Sequence, residues 1–261
     1  MTPILLLGAG RMGGALIAGW RRAGAFDLRE LMIRDPAPGE EAMSSGAQLD
    51  PDDAALASAR TVVVAVKPQI WREAAAAVAP HLAPGAVVVS VAAGVRAADL
   101  AEAFGGRSVA RVMPTTAAAI GLGTASIFSA DTEARERAHA LFEPVGTVVD
   151  LDDETLMHAA TAVSGSAPAY LYAFVEALEA AGVEAGLPPA AAQALARATM
   201  AGAAALMAES GEDPAELRRQ VTSPAGTTEA ALKVLLGEHG LPDLLSRAVA
   251  AAAQRSRELG A

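Results

Sequence analysis

The sequence predicts an N-terminal α/β domain built on a doubly wound, largely parallel sheet, followed by an all-helical half. Two textures and one turn predict it. Up to about residue 151, short β-branched runs alternate with alanine-rich stretches long enough to form crossover helices. From Asp152 onward those runs vanish; alanine, leucine and glutamate dominate, with breaks at SGSAP, GLPP, SGEDP, TSPAGTT and GEHGLP. The first strand-like run, near the start of the chain, passes straight into a glycine-rich turn. The expected division is residues 1–152 for the sheet domain and 153–261 for the helical domain.

In order, the strand candidates are PILLLG, ELMIRD, TVVVAV, AVVVSVAAG, SVARVM, TASIF and GTVVDL. The segments between the first five are suited to crossover helices, the signature of a sheet covered on both faces. VVDLDDETLM passes from strand to helix within a few residues, with Asp152 or Asp153 a fit N-cap, so no long linker separates the halves. A helix over 190–207 is nearly apolar all round, which calls for burial on more than one side and predicts packing against another subunit. Burial within its own domain is the alternative.

Composition narrows the function. The 261 residues are 52% hydrophobic and 19% charged, enough for a sizeable core, and the formal net charge of -10 repels nucleic acid backbones and anionic membranes. Without cysteine there are no disulfides, thiolate nucleophiles or cysteine metal sites. His81, His139, His158 and His239 are scattered with no metal-ligand spacing. The N-terminus has no positive residue before its apolar run, unlike a signal peptide. Two uncharged windows, 112–130 and 155–175, are interrupted by proline, glycine, hydroxyls or histidine and read as buried segments. The expectation is a cytoplasmic protein acting on a small molecule, without metal, membrane or nucleic-acid partner.

LLLGAGRMGG carries Gly8, Gly10 and Gly13 in G-x-G-x-x-G spacing between a strand and an amphipathic helix. One glycine serves the tight turn, one the close approach of a pyrophosphate, and one the packing of helix on strand. This is a Rossmann-type arrangement, and it makes Leu7, Gly8, Ala9, Gly10, Arg11, Met12 and Gly13 candidate dinucleotide contacts. About twenty residues after Gly13, Arg34 and Asp35 end the second run; the acid would accept from a ribose 2′-hydroxyl, the guanidinium would meet a 2′-phosphate, and the two argue opposite ways. Further candidates end two later strands: Ala65, Val66, Lys67 and Pro68 in AVKP, and Ala92 and Ala93 before Gly94, where little side chain stands in the way of a flat nicotinamide ring. For these last segments a plain strand-to-helix turn is the competing reading.

GAGRMG, AVKPQ, SVAAGV, RVMPTT, AVSGSAPAY, GLP and VTSPAGTTEAALKVL, in that order and spacing, resemble the pyrroline-5-carboxylate reductases over essentially the whole chain. The resemblance implies a Rossmann domain followed by a helical dimerisation domain, assembled as a homodimer or a higher oligomer built from dimers. It implies reduction of the cyclic imine 1-pyrroline-5-carboxylate to L-proline by NADP(H), with NAD(H) the alternative donor. It also gives a purpose to TSPAGTT, which on local pattern alone is a turn ending one helix and capping the next. Ser223 and the N–H groups of Gly226, Thr227 and Thr228 stand at a helix start suited to the substrate carboxylate. By resemblance, Thr228 is the catalytic hydroxyl nearest the ring nitrogen, and Glu154 lies near cofactor and substrate, although a first-turn glutamate of a helix is an equally good reading.

The chain departs from the family pattern at four positions. MPTTAA stands where the family usually has MPNTPA, so Thr115 and Ala117 replace an amide and a proline, while Ala167 and Ala225 replace glycines of SGSGPAY and SPGGTT. The two alanines are expected to avoid positive φ. A β-hydroxyacid dehydrogenase shares the general plan but relies on a lysine followed by asparagine in its helical half, and this chain has no asparagine. A catalytically silent nucleotide-binding protein and a reductase of a related cyclic imine are the other readings.

Overall fold

The structure is a computed structural model that describes residues 1–259. The chain forms two compact units: Met1–Gly165 together with the C-terminal stretch from Ala251, and Ser166–Ala250.

The first unit is built on an eight-stranded sheet: β1 (Ile4–Leu7), β2 (Leu31–Arg34), β3 (Gln48–Leu49), β4 (Thr61–Val64), β5 (Val87–Ser90), β6 (Val109–Pro114), β7 (Gly123–Phe128) and β8 (Gly146–Asp150). Their order is β3-β2-β1-β4-β5-β6-β7-β8. Seven of the strands match the runs read from the sequence. The eighth, β3, has two residues and no alternating pattern to betray it; it pairs only as Met32↔Gln48 and Ile33↔Leu49 on the sheet edge. From β1 to β6 every pairing is parallel, with helices in the connections: α1 (Arg11–Ala23), α2 (Glu40–Met43), α3 (Asp53–Leu56), α4 (Trp71–Val78) and α5 (Ala97–Ala103). The connection from β6 to β7 is too short for a crossover helix, and that pair is antiparallel. α6 (Thr132–Phe142) then carries the chain to β8, parallel to β7.

Alternation along the strands divides the core. Ile4 and Leu6 of β1 face Leu16, Ile17, Trp20, Leu141 and Phe142 on one side, while Leu5 and Leu7 face Trp71, Val78, Leu100 and Phe104 on the other. A buried Trp20 indole N–H finds an acceptor in the Leu141 carbonyl at 2.8 Å. After β8, α7 (Leu156–Ala160) continues into one π-helical turn over Thr161–Gly165. The N-cap of α7 is Thr155, with no side-chain bond, and not the expected Asp152 or Asp153; Asp153 lies two residues too early and accepts from the Thr155 N–H itself at 2.7 Å.

The second unit contains α8 (Ala167–Glu184), α9 (Pro189–Ser210), α10 (Pro214–Gln220), α11 (Thr227–Leu235) and the first part of α12 (Leu241–Leu259). α9 includes the expected 190–207 helix, and only Ala192 and Ala196 on it are buried in the single chain. Leu195 and Leu206 are more than half exposed, as is Tyr172 of α8. Among the described residues no helix is long and apolar enough to cross a membrane.

His139 on α6 holds the edge strand β8. Its Nδ1 lies 2.7 Å from a Glu143 oxygen and its Nε2 3.0 Å from Asp150. The hydrogen bond to Glu143 is the largest cause of a raised pKa and, with Asp150 adding to it, outweighs partial burial. The imidazolium therefore contributes fully below the ordinary value of 6.5 and progressively less as pH rises through the higher folded-state value. Both carboxylates are well exposed, which limits the contribution to about 0.5–1 kcal/mol. Thermal unfolding of His139→Gln beside the wild type should show a lower midpoint near pH 6, with the two midpoints converging near pH 9; a gap that widens with pH would contradict this.

Candidate active site

In an open α/β sheet, ligands bind beyond the carboxyl ends of the strands where the strand order reverses, and here that point lies between β1 and β4. Three backbone hydrogen bonds bring the predicted segments together there. Gly8 N–H donates to the Arg34 carbonyl at 3.0 Å, Ala65 N–H to Leu7 at 2.7 Å and Val91 N–H to Val64 at 2.9 Å. The turns at 8–13, 65–68 and 91–94 consequently stand side by side at one edge.

The three glycines of the first turn do different things. Gly8 has φ +91°, and a Cβ there would lie 2.9 Å from the backbone of Ala65. At Gly13 a Cβ would overlap the Gly8 carbonyl oxygen. The fold itself needs both. Gly10 is exposed, caps α1 without a side-chain bond, and a Cβ there would meet nothing within 4 Å. Its bare backbone matters only to something bound from outside, at the start of a thirteen-residue helix whose first N–H groups and positive end suit a phosphate. Arg11 is exposed beside it and Met12 packs on the core beneath. These residues fit a dinucleotide.

The two side chains that argued opposite ways are separated by their partners. Asp35 spends one carboxylate oxygen on the Ala9 N–H at 2.6 Å and the other on Ala37 N–H at 2.8 Å, tying the glycine turn to the end of β2. Each oxygen keeps a lone pair beyond its backbone bond. Arg34 donates to the Pro51 carbonyl at 2.6 Å and lines an open cleft with Pro36, Val66 and Ile70. Lys67 is exposed at the same edge, Pro68 is half-buried, and Ala92 is buried beside Ala93, with Gly94 at φ +81°.

One ion pair escapes sequence reading. Arg111 of β6, 3% exposed, donates to Glu154 at 2.8 Å, and the same carboxylate oxygen accepts the Ala97 N–H at 2.6 Å. Glu154 thus braces the end of the 91–96 loop against a buried guanidinium. His158, one helical turn on, hydrogen-bonds Ser256 at 3.0 Å; burial and then the Arg111 and Arg257 charges hold its pKa below the ordinary value. Thr115 turns its hydroxyl to the Thr124 N–H at 3.0 Å, so the group that replaces the family's amide is occupied by β7.

In the helical unit, α10 ends with Thr222 donating to the Arg218 carbonyl at 2.6 Å, and α11 begins at Thr227. The N-cap is Gly226, with no side-chain bond, rather than one of the hydroxyl residues. Gly226 N–H is committed to the Ser223 carbonyl at 3.0 Å, which leaves the amides of Thr227, Thr228 and Glu229 as the free donors of the first turn. Ser223 is exposed, and Thr228 is half-buried. Ala225 corrects the sequence expectation: it adopts φ +57°, a left-handed conformation that costs alanine about 1–2 kcal/mol. Ala167 instead lies in the first turn of α8, where no positive φ is required.

A doubly wound sheet with this glycine turn, joined to a bundle of exposed apolar helices, defines the class of two-domain nicotinamide-dependent oxidoreductases. Residues 154–259 match the family model for pyrroline-5-carboxylate reductase dimerisation, and residues 3–94 match that for coenzyme F420-dependent NADP oxidoreductases. The pyrroline-5-carboxylate reductase of Pseudomonas aeruginosa is 40% identical, over 99% of this chain and 97% of that protein. Among solved structures, the pyrroline-5-carboxylate reductase of Coxiella burnetii superposes with a TM-score of 0.90 at 28% identity, covering 100% of this chain and 99% of that one. The Plasmodium falciparum pyrroline carboxylate reductase with NADP bound gives 0.86 at 25% identity, covering 100% and 98%. The chain belongs to the pyrroline-5-carboxylate reductase family.

Substitution separates the glycines. Gly10→Ala should keep the wild-type thermal midpoint and lose at least about tenfold in NADPH affinity, because only the bound pyrophosphate would meet the new methyl. Gly13→Ala should lower the midpoint itself. Fluorescence titration alongside thermal unfolding checks both; equal destabilisation by the two would contradict the assignment.

Proposed function

We propose that this chain reduces 1-pyrroline-5-carboxylate to L-proline with NADP(H), accepts NAD(H) less well, and works as a homodimer or an assembly of dimers. The observation that carries the reading is the 223–228 turn: a hydroxyl-rich helix start with three uncommitted amides, those of Thr227, Thr228 and Glu229, in a chain similar along its whole length to reductases of this imine. When bound, the nicotinamide supplies a hydride to the C=N carbon. A protonated cyclic imine is already an electrophile, so the protein need only orient it, hold its carboxylate and exclude water. Ser223 and the Thr227 and Thr228 amides hold the carboxylate, and the Thr228 hydroxyl orients the ring nitrogen, which becomes the amine of proline.

On the cofactor side, Leu7 to Gly13 cradle the pyrophosphate, with Gly10 giving the close approach. Ala65 to Pro68 and Ala92–Ala93 line the remaining path, and Glu154 acts through the 91–96 loop. Arg34 lies 3.6 Å from the exposed Asp50 carboxylate, and its guanidinium exchanges that contact for the 2′-phosphate when NADP(H) binds. A second copy of the chain covers the exposed apolar residues of α8 and α9.

Following cofactor absorbance, purified protein should oxidise NADPH with 1-pyrroline-5-carboxylate and not reduce NADP with 2-hydroxy or 3-hydroxy acids; the reverse result would sink the reading. Arg34→Ala should raise the KM for NADPH roughly tenfold or more and leave that for NADH nearly unchanged. Equal effects on both would remove Arg34 from the site. Thr228→Ala should lower kcat by roughly ten- to a hundredfold without altering NADPH affinity, since one oriented hydroxyl contributes about 1–3 kcal/mol. Ser223→Ala should act mainly on the KM for the imine, because a carboxylate contact is similar in ground and transition states.

A further inference from the structure

An alanine at φ +57° does not stay there unaided; surrounding bonds must over-determine it. Two do. The Gly226 N–H closes the turn on the Ser223 carbonyl at 3.0 Å, and the Ala225 N–H donates to a Glu229 carboxylate oxygen at 2.5 Å. Glu229 stands in the first turn of α11 and reaches back over the helix start, so its side chain ties the strained residue to the helix that follows. The other Glu229 oxygen lies 3.3 Å from the Lys233 ammonium, one helical turn on. That ammonium offsets a negative charge which would otherwise face the anion bound at the same helix start. Lys233 is one of only two lysines in the chain.

We propose that Glu229 is a positioning residue for the imine site: by holding Ala225 in the left-handed region it aims the Thr227 and Thr228 amides and the Thr228 hydroxyl at the substrate. This rests on the reading that the 223–228 turn binds the imine carboxylate. The physical consequence is a coupling between positions 225 and 229. Without the carboxylate, an alanine at 225 falls back to extended backbone and the turn is competent only a small part of the time. A glycine at 225 populates positive and negative φ about equally, so the same loss costs little.

The experiment is a double-mutant cycle in the full-length enzyme. Glu229→Ala should raise the KM for the imine about tenfold and leave the KM for NADPH unchanged, while Glu229→Gln, which keeps a carbonyl acceptor, restores most of the affinity. In the Ala225→Gly background, Glu229→Ala should raise the imine KM no more than about twofold. Amide hydrogen exchange at Ala225 and Gly226, read by NMR, should quicken in Glu229→Ala independently of any activity. Unchanged exchange in that variant would overturn the clamp, as would an imine KM that responds equally in both backgrounds. Quickened exchange with an unchanged imine KM would overturn the positioning role, and Thr228→Ala and Ser223→Ala then show separately whether the turn itself binds the imine. Altered imine kinetics in those two variants would leave the turn at the substrate and strike only the clamp; untouched kinetics would strike both.

Discussion

The carboxyl edge of the sheet depends on how closely α1 approaches β1. A side chain at Gly13 would occupy the Gly8 carbonyl oxygen, and one at Gly8 would press on the backbone of Ala65. Because both are glycine, the helix starts directly above the strand, and the Asp35 carboxylate can reach across to the Ala9 N–H. That single carboxylate fixes the turn to the end of β2, and the parallel pairing of β1 with β4 fixes the neighbouring 65–68 segment. The crevice is therefore set by backbone contacts and one charged hydrogen bond, and little of it relies on flexible side chains. Gly10 stands apart because nothing in the protein itself forbids a methyl there.

A second constraint lies deeper. Arg111 is a buried cation, and removing its partner would leave it uncompensated at a cost of about 3–5 kcal/mol. Glu154 satisfies it while also accepting the first N–H of α5, so the 91–96 loop is tied to β6. The helical unit uses a lighter version of the same device. There a half-exposed carboxylate, Glu229, holds one strained peptide, and an adjacent lysine offsets its charge.

What the sequence reveals of this follows from which interactions are local. Seven strands and the glycine spacing are legible because β-branched runs and turn chemistry are encoded within a few residues. β3 is not, since two residues carry no period and are recruited only by the edge of β2. Arg34 and Asp35 are legible as candidates for selecting the cofactor. Their division of labour is not, because it depends on which of them meets Ala9 and which meets Pro51, contacts that span 26 and 17 residues of chain. The Arg111–Glu154 pair is 43 residues apart and could not be inferred from spacing. Ala225 misleads for a different reason: propensity argues against positive φ for alanine, yet here its N–H donates to the Glu229 carboxylate four residues on, a contact propensity does not count. Ser223 and Thr228 are visible by resemblance, and the structure adds that the Gly226 amide is committed to the Ser223 carbonyl.

Central to the proposed function is the passage of a hydride from a cofactor bound at the glycine turn to the C=N carbon of a cyclic imine. Its most direct test is to supply NADPH deuterated at the transferable position on the nicotinamide C4, together with 1-pyrroline-5-carboxylate, and to analyse the product by mass spectrometry. The account predicts proline carrying one deuterium, placed on the ring carbon that was double-bonded to nitrogen. Unlabelled proline, or imine left unreduced while the cofactor binds, would contradict it.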